Sequence, residues 1–293
     1  MLFNSLDFAV FLPIVFILYW FVTYKSFKIQ NLLIVFASYT FYGWWSKRFL
    51  ILILISTIID YLLGILINKT EENFKRKLLL IISLVVNLGL LGFFKYYNFF
   101  LENFISAFSI FGYEIRHNTL NIILPVGISF YTFQTLSYSI DIYKNKISPT
   151  KDFIAFAAFV SFFPQLVAGP IERAKNLLPQ FNRKRTFDYD SASDGMRQML
   201  WGLFKKVVVA DNCAYFSDLI FNNYSDYSSG YLILGAIFFA FQIYGDFSGY
   251  SDIAIGTARL FGFKLMRNFA FPYFSRDIAE FWRRWHISLS TWF

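Results

Sequence analysis

Long apolar segments separated by short polar ones run along most of this 293-residue chain and limit what it can fold into. Crossing the hydrocarbon core of a bilayer takes about 20 predominantly apolar residues. The segments that approach or reach this length cover residues 8–24, 31–45, 49–67, 78–94, 122–142, 153–169 and 231–244 or beyond. We therefore predict an all-α, polytopic integral membrane protein with a single membrane domain over residues 1–293.

The composition favours a membrane protein over a soluble one. Hydrophobic residues make up 57% of the chain and charged residues 16%, whereas soluble domains carry about 25% charged residues. The net charge of +8 does not indicate a nucleic-acid partner, because the basic residues are scattered through short segments between the apolar runs. This distribution is typical of the positive-inside pattern. Lys25 and Lys28 then lie inside and the N-terminus outside, although Lys47 and Arg48 fall on the wrong side.

Histidine and cysteine are too few for a protein-built metal site. Cys213 is the one cysteine, so no internal disulfide is possible. His117 and His286 are the two histidines, and structural zinc sites draw about four ligands from cysteine, histidine and carboxylates. We predict no metal site, and we expect His117, in the polar stretch 112–121, to be a loop residue.

Proline and glycine interrupt two of the apolar segments, at residues 124–127 and 163–170. Backbone groups freed by such breaks must be buried in protein or face a watery cavity. We therefore expect broken or re-entrant helices at these positions rather than a bundle of straight spans.

Residues 195–216 are predicted to form an amphipathic helix. Arg197, Lys205 and Lys206 lie off its apolar stripe. The apolar residues at helical spacing are Met196, Met199, Leu200, Leu203, Phe204 and Val207. Such a helix is typical of the headgroup region of a bilayer, and packing against another part of the protein is the alternative.

A polar cluster at residues 244–256 stands out from its apolar surroundings. Asp246, Ser248, Tyr250 and Asp252 lie within it, around Gly249. An ionisable group at bilayer depth costs at least ~2.5 kcal/mol on insertion scales, so its presence points to a function. The glycine lets the backbone turn or come close to another segment. An internal network that ties broken helices together is the alternative.

A helix start is signalled shortly after this cluster. Ser275 is a suitable N-cap, and Asp277 in the first turn suits the helix dipole. Glu280 lies four residues before Arg284, which is a favourable pair on a helix. We predict a helix that begins near Ser275 and continues to the end of the sequence.

On that helix His286 lies one turn after Trp282 and one turn before Ser290, so the imidazole would share a face with an indole and a hydroxyl. A histidine titrates near pH 6.5 and is a natural general base for direct O-acyl transfer. A hydrogen-bonded structural histidine is the alternative. The sequence has no G-x-S-x-G, Walker A, G-x-G-x-x-G or H-E-x-x-H pattern, which argues against ATP-driven transport and metalloprotease chemistry.

Several long motifs, in order along the chain, resemble those of one family. They are LFNSLDF at 2–8, LPVGISFYTF at 124–133, FPQLVAGPIER at 163–173, DFSGYSD at 246–252, and residues 268–286. On these motifs the sequence closely resembles the membrane-bound O-acyltransferase superfamily, and within it the bacterial branch typified by the membrane subunit of alginate O-acetylation. The resemblance implies a ring of many helices around a thin, funnel-shaped core.

The resemblance also implies an activity. Members of this branch move an acetyl or other short acyl group to hydroxyls of an exported polysaccharide, a cell-wall glycan or a carrier. The implied donor is acetyl-CoA or another acyl thioester on the cytoplasmic side, with no bound cofactor. A separate periplasmic or extracellular acyltransferase would complete delivery, and the implied location is the bacterial cytoplasmic (inner) membrane, with multiple passes through the lipid bilayer.

Roles for particular residues follow from the resemblance. His286 matches the first of the family's two characteristic histidines and would support proton transfer, while Trp282 and Trp285 would shape the tunnel. Its polar wall would consist of Asp246, Ser248, Tyr250, Asp252, Asn268 and Arg276. The second family histidine lies in a Trp-His-Gly motif further downstream, and this sequence ends at Phe293. We therefore expect the N-terminal portion of an acyltransferase, a fragment that is inactive alone.

Two other classes of function stay open. In a transporter or channel, Asp246 and Asp252 would line a solute path, although the sequence shows no inverted repeat. In a membrane scaffold without catalytic activity, the chain would hold a secreted acyltransferase at the bilayer.

Overall fold

A computed structural model describes residues 1–110, 123–167 and 169–293, and all regular structure in these ranges is helical. The α-helices are α1 Leu6–Ile17, α2 Phe27–Gly43, α3 Lys47–Lys69, α4 Asn73–Ile110, α5 Ile128–Tyr143, α6 Phe153–Ser161, α7 Phe163–Leu166, α8 Ala174–Phe181, α9 Tyr189–Leu203, α10 Asp211–Asn222, α11 Ser229–Leu260, α12 Ile278–Arg284 and α13 Ile287–Ser290. Wider π-helical turns extend α1 over Leu18–Val22 and join α9 to α10 over Phe204–Ala210.

Among the described residues, three helices, α3, α4 and α11, are long and apolar enough to cross a membrane. The predicted all-α membrane fold is thereby confirmed. The helix predicted over residues 78–94 is part of the much longer α4. The segment predicted over 122–142 is helical only from Ile128, while the polar stretch 112–121 with His117 lies outside the described residues.

Both predicted helix breaks are present in the described residues. Gly127 caps α5 with a φ of 76°, and a Cβ at this position would lie 2.3 Å from the carbonyl oxygen of Leu166. Glycine is needed here because the backbone is left-handed and the neighbouring chain is close. The second break separates α6 from α7 at Phe162, and the Ser38 hydroxyl accepts the freed backbone N–H of Phe163 at 3.1 Å.

The basic segments gather at one end of the helices. The hydrogen bonds that join these helix ends are Trp20 Nε1 to Leu260 O (2.8 Å), Arg76 Nη2 to Tyr143 O (3.0 Å) and Arg185 Nη2 to Asn31 Oδ1 (2.8 Å). We call this end the basic face. Its residues include Lys25, Lys28, Lys75, Arg76, Lys77, Lys144, Lys146, Arg183, Lys184, Arg185 and Lys264. Lys47 and Arg48 begin α3 at the opposite end, as the sequence pattern implied.

A fully buried carboxylate ties α3, α4 and α5 together. Asp60, near the middle of α3, accepts hydrogen bonds from the Ser83 hydroxyl at 2.6 Å and the Asn87 amide at 2.8 Å. Ser139 of α5 contributes a third donor at 3.3 Å. Neutral donors from the neighbouring helices thus replace the water that this carboxylate loses on burial.

The segment predicted as an amphipathic helix over 195–216 is helical throughout, with part of α9, the π-helical turn and part of α10 in succession, and it packs along α11. Close backbone contact requires glycine on both sides. A Cβ on Gly249 would lie 2.8 Å from the oxygen of Gly202, and one on Gly256 would lie 2.4 Å from the oxygen of Gly195. Packing on another part of the protein, the alternative left open by the sequence, is what the structure has. A headgroup location stays a prediction.

Candidate functional site

A cavity of about 680 Å³ lies between α9, the π-helical turn, α11 and the segment 267–274. Its aromatic wall contains Trp201, Phe204, Phe241, Tyr244, Phe269, Phe271, Tyr273 and Phe274. Its polar lining contains Gln198, Lys205, Ser248, Ser251, Asp252, Arg267 and Asn268. A mostly apolar hollow with a few convergent polar groups is the usual form of a small-molecule site.

An ion pair forms the polar floor of this cavity. Lys205, a buried residue of the π-helical turn, bonds Asp252 of α11 and donates to the Ser248 hydroxyl at 3.0 Å. The Gln198 amide donates to the other oxygen of Asp252 at 2.8 Å. Both oxygens of the carboxylate are therefore occupied, which offsets the cost of burying the charge.

The polar cluster of α11 divides between two sides of the helix. Ser248 and Asp252, four residues apart, face the cavity, whereas Asp246 and Tyr250, also four residues apart, do not line it. Lys206 lies 2.8 Å from Asp246 and 5.6 Å from the centre of the Tyr250 ring. Lys206 also lies 2.8 Å from Asp211. The second cluster therefore consists of Lys206 between two carboxylates, apart from the cavity.

Asn268 connects the cavity to the last segment of the chain. Its amide donates to the Ser251 hydroxyl of α11 at 3.1 Å, and its side-chain oxygen accepts from the Ser288 hydroxyl at 2.8 Å. Its backbone oxygen accepts the N–H of Ile287 at 2.9 Å. Asn268 is 1% exposed, so these bonds fix its orientation and hold residues 287–288 beside α11.

The helix predicted to start near Ser275 begins two residues later. Asp277 is the N-cap, because its carboxylate accepts the backbone N–H of Glu280 at 2.7 Å. Aspartate is a strong N-cap because its short side chain, on an extended backbone, can accept the N–H of the residue three positions later. The predicted pair of Glu280 with Arg284 is present at 2.5 Å, and Arg276 joins it at 3.1 Å.

The predicted unbroken helix through His286 is wrong. The helix α12 ends at Arg284, Trp285 is extended, and His286 adopts a left-handed backbone with a φ of 45°. This change of chain direction allows the backbone N–H of Ala270 to donate to Arg284 O, and it brings the chain back beside Asn268. Because the helix is interrupted, His286 does not share a helical face with Trp282 and Ser290.

The imidazole of His286 lies in an aromatic surrounding one layer behind the cavity wall. Its ring centre is 4.7 Å from that of Phe247, with the planes at 79°. Phe247 in turn contacts Phe269, which lines the cavity. Burial lowers the pKa of His286 to about 4, so the ring is neutral at pH 7. Its Nε2 has no hydrogen-bond partner within the described ranges.

The remaining predicted tunnel residues lie outside the cavity lining. Trp285 packs among Tyr244, Phe269 and Phe281, with ring centres 5.1–6.2 Å apart. Trp282 is 57% exposed, and Arg276 is an exposed partner of Glu280. The cavity therefore brings together Ser248, Asp252 and Asn268 of the predicted set, and Trp285 supports its wall from behind.

Sequence reasoning missed Lys205 and Gln198 as cavity residues. Both lie in the segment 195–216, where Lys205 was assigned only to the polar side of an amphipathic helix. An available signal was the lysine itself, because a cation in an apolar membrane segment needs a buried acid as partner. Asp252 was the acid, but no spacing rule connects two residues that are 47 positions apart.

Two residues of the motif 163–173 also contribute. Arg173 donates to the backbone oxygens of Thr291 at 2.9 Å and Trp292 at 2.5 Å. Glu172, which is 2% exposed, accepts the backbone N–H of Met266. Burial raises the pKa of this carboxyl to about 7. The motif therefore holds the segments on both sides of α12 in place. Within the described residues, no three His, Cys, Asp or Glu side chains are grouped to hold a metal ion.

Residues 144–293 match the sequence model of MBOAT, the membrane-bound O-acyltransferase family. Among curated relatives, the "Probable alginate O-acetylase AlgI" of Pseudomonas aeruginosa is 44% identical over 269 residues, covering 90% of this chain and 51% of that protein. The peptidoglycan O-acetyltransferase of Helicobacter pylori is 38% identical over 319 residues, covering 99% of this chain and 60% of that protein.

A more distant relative is the teichoic acid D-alanyltransferase of Bacillus subtilis. It is 26% identical over 182 residues, which cover 61% of this chain and 46% of that protein. The chain spans about half the length of the curated relatives it matches, for example 51% of the Pseudomonas aeruginosa protein.

Proposed function

Because the chain belongs to the membrane-bound O-acyltransferase family, we propose that it forms part of an enzyme that moves an acetyl or other short acyl group to a hydroxyl of an exported polysaccharide or cell-wall glycan. The names of the relatives support this substrate class, since they refer to alginate, peptidoglycan and teichoic acid. The observation that carries the proposal is the cavity of about 680 Å³, which combines an aromatic wall with a charged floor inside a membrane domain.

The charge distribution supports an orientation for the reaction. Basic residues near the ends of membrane helices are retained on the cytoplasmic side, so the basic face is cytoplasmic and the opposite end faces outwards. The donor, acetyl-CoA or another acyl thioester, approaches from the basic face and the acceptor from the other side. The membrane is then the bacterial cytoplasmic membrane, and a separate exported acyltransferase is the partner that completes delivery.

The proposed chemistry needs a base but no covalent enzyme intermediate. The acceptor oxygen attacks the acyl carbon, a C–O bond forms, the C–S bond breaks, and the hydroxyl proton passes through a base to the thiolate. His286 suits a supporting role in that transfer because it is neutral at pH 7 and its Nε2 is unpaired among the described residues. Asn268 is a positioning residue, since it holds Ser288, two residues from His286.

The transporter hypothesis receives less support. Asp246 and Asp252 lie on different sides of α11, and each is paired with its own lysine. Two neutralised acids on different sides of a helix do not form a continuous charged path. The scaffold hypothesis predicts the same fold, so an activity measurement has to separate it from the enzyme hypothesis.

The test uses the complete gene product in proteoliposomes with radiolabelled acetyl-CoA, and alginate or peptidoglycan fragments on the opposite side. Ester formation on the saccharide is measured for the wild type, His286→Ala and the matched control Ser290→Ala, whose side chain is exposed in the same segment. We expect a loss of about a hundredfold or more for His286→Ala, as is usual for acid–base groups, and little change for Ser290→Ala. Absence of any saccharide ester in the wild type with either fragment would contradict the proposed function.

A further inference from the structure

Among the described residues, the polar floor of the cavity has one hydrogen-bond donor and one hydrogen-bond acceptor that no protein group uses. An ammonium group has three N–H donors, and Lys205 uses two of them on Ser248 and Asp252. Gln198 uses its amide N–H₂ on Asp252, while its side-chain oxygen has no partner among the described residues. A donor and an acceptor therefore remain on two side chains that line one cavity.

A single carboxylate fixes the relative position of these two groups. Gln198 bonds one oxygen of Asp252 and Lys205 bonds the other. Because both partners bond the same carboxylate, the side chains of Gln198 and Lys205 are held close to one another. Preorganised pairs of this kind reduce the entropy lost when a ligand binds.

We infer that Gln198 and Lys205, oriented by Asp252, bind a sugar hydroxyl of the acceptor glycan. A hydroxyl both donates and accepts, so one group satisfies the Gln198 oxygen and a Lys205 N–H together. This inference rests on the proposed function for the identity of the acceptor. An acyl chain in the same place would leave the lysine donor and the glutamine oxygen unpaired and buried, which is costly.

The walls of the cavity fit the same ligand. Trp201 and Tyr244 line it above the polar floor, and flat aromatic rings offer apolar contact area with a polar edge. Along α11 the lining runs from Phe241 to Ile255, so the cavity lies nearer the Leu260 end of this helix than the Ser229 end.

The test measures saccharide binding without any acyl donor, so that it is independent of turnover. The purified complete gene product in nanodiscs is titrated with an alginate tetrasaccharide and, separately, with the peptidoglycan disaccharide, by calorimetry. We expect Gln198→Leu and Lys205→Met to weaken binding of the saccharide that the wild type binds by about tenfold or more, the usual effect of losing a hydrogen bond to a charged or buried group.

The matched control is Lys206→Met, which removes the neighbouring lysine on the other side of α11 and should leave affinity unchanged. Lys205→Met removes the cation that pairs with Asp252 and can therefore destabilise the fold. Lys205→Arg, which keeps the ion pair, is measured as a second variant, and the unfolding temperature of both variants is recorded. Equal affinity in Gln198→Leu and wild type, or an equal loss in Lys206→Met, overturns the inference.

Different results would contradict the saccharide site and the proposed acyltransferase reaction. A wild type that forms saccharide esters but binds neither saccharide in the absence of donor contradicts the hydroxyl site and leaves the acyltransferase activity standing. A wild type that binds a saccharide through Gln198 and Lys205 but forms no ester contradicts the proposed reaction and supports the binding site.

Discussion

Asn268 and Ser288 are joined by a 2.8 Å hydrogen bond between two buried side chains. Through this bond the segment after α12 is held against α11, because the same asparagine donates to Ser251. His286 lies two residues before Ser288, in a left-handed backbone that its neighbours must maintain. The orientation of the histidine therefore depends on an asparagine 18 positions earlier in the chain.

Replacing Asn268 by alanine is expected to destabilise the protein by about 1–3 kcal/mol, because the Ser288 hydroxyl and the Ser251 hydroxyl lose their buried partner. Thermal unfolding in detergent measures the loss. Acetyl transfer should fall as well, since the substitution displaces His286 and removes a side chain that lines the cavity. A variant with wild-type stability and activity would show that Asn268 does not hold this segment.

The pH dependence of stability should contain a contribution from His286. Burial lowers the pKa of His286 from 6.5 to about 4, so the folded state binds a proton less readily than the unfolded state. Stability from this group is fully present above pH 6.5 and is lost as the pH falls from 6.5 towards 4. Denaturant midpoints at several pH values should decline over this window in the wild type.

The same series in His286→Phe should be flatter over that window, because the substitution keeps a ring beside Phe247 and removes the titrating group. Because the imidazole is only partly buried, the difference will be smaller than full burial implies. An identical decline in both proteins would assign the effect to other groups.

The family, the all-α membrane class and both helix breaks could be predicted from the sequence, because apolar length and Gly127 are local features. The cavity floor could not, since Lys205 meets Asp252 only after α9 packs along α11. The helix through His286 was mispredicted for a related reason. Residue spacing favours a helix there, but backbone bonds from Ala270 and Asn268 to residues 284–287 favour a reversal.

The carboxyl of Glu172 should make stability depend on pH in the opposite direction. Burial raises its pKa from 4.5 to about 7, so the folded state retains the proton more strongly than the unfolded state. The stability from this group is complete below pH 4.5 and is lost as the pH rises through 7. Glu172→Gln keeps a side-chain oxygen for the Met266 N–H and removes the charge.

We expect Glu172→Gln to be more stable than the wild type at pH 8, by on the order of 1–3 kcal/mol, and close to it at pH 5. Chemical denaturation at the two pH values measures both differences. A Gln variant that is less stable than the wild type at pH 8 would mean that the ionised carboxylate is needed.

The contact between α9 and α11 should not tolerate even one added methyl group at Gly249. A Cβ there would lie 2.8 Å from the oxygen of Gly202 and 3.1 Å from the backbone nitrogen of Lys206. Neither atom can rotate away, so the helices must separate, which costs about 1–3 kcal/mol. Because Lys205 lies next to Lys206 on the displaced segment, its ion pair with Asp252 would lengthen as well.

Gly249→Ala is therefore expected to lower the unfolding temperature and to weaken saccharide binding. The matched control is Gly89→Ala in the middle of α4, where an added Cβ meets nothing within 4 Å. Alanine at an open helical position stabilises by up to about 1 kcal/mol relative to glycine, so the control should unfold at the wild-type temperature or slightly above it. If both substitutions had the same effect, close packing of α9 on α11 would not be what positions Lys205 over the cavity.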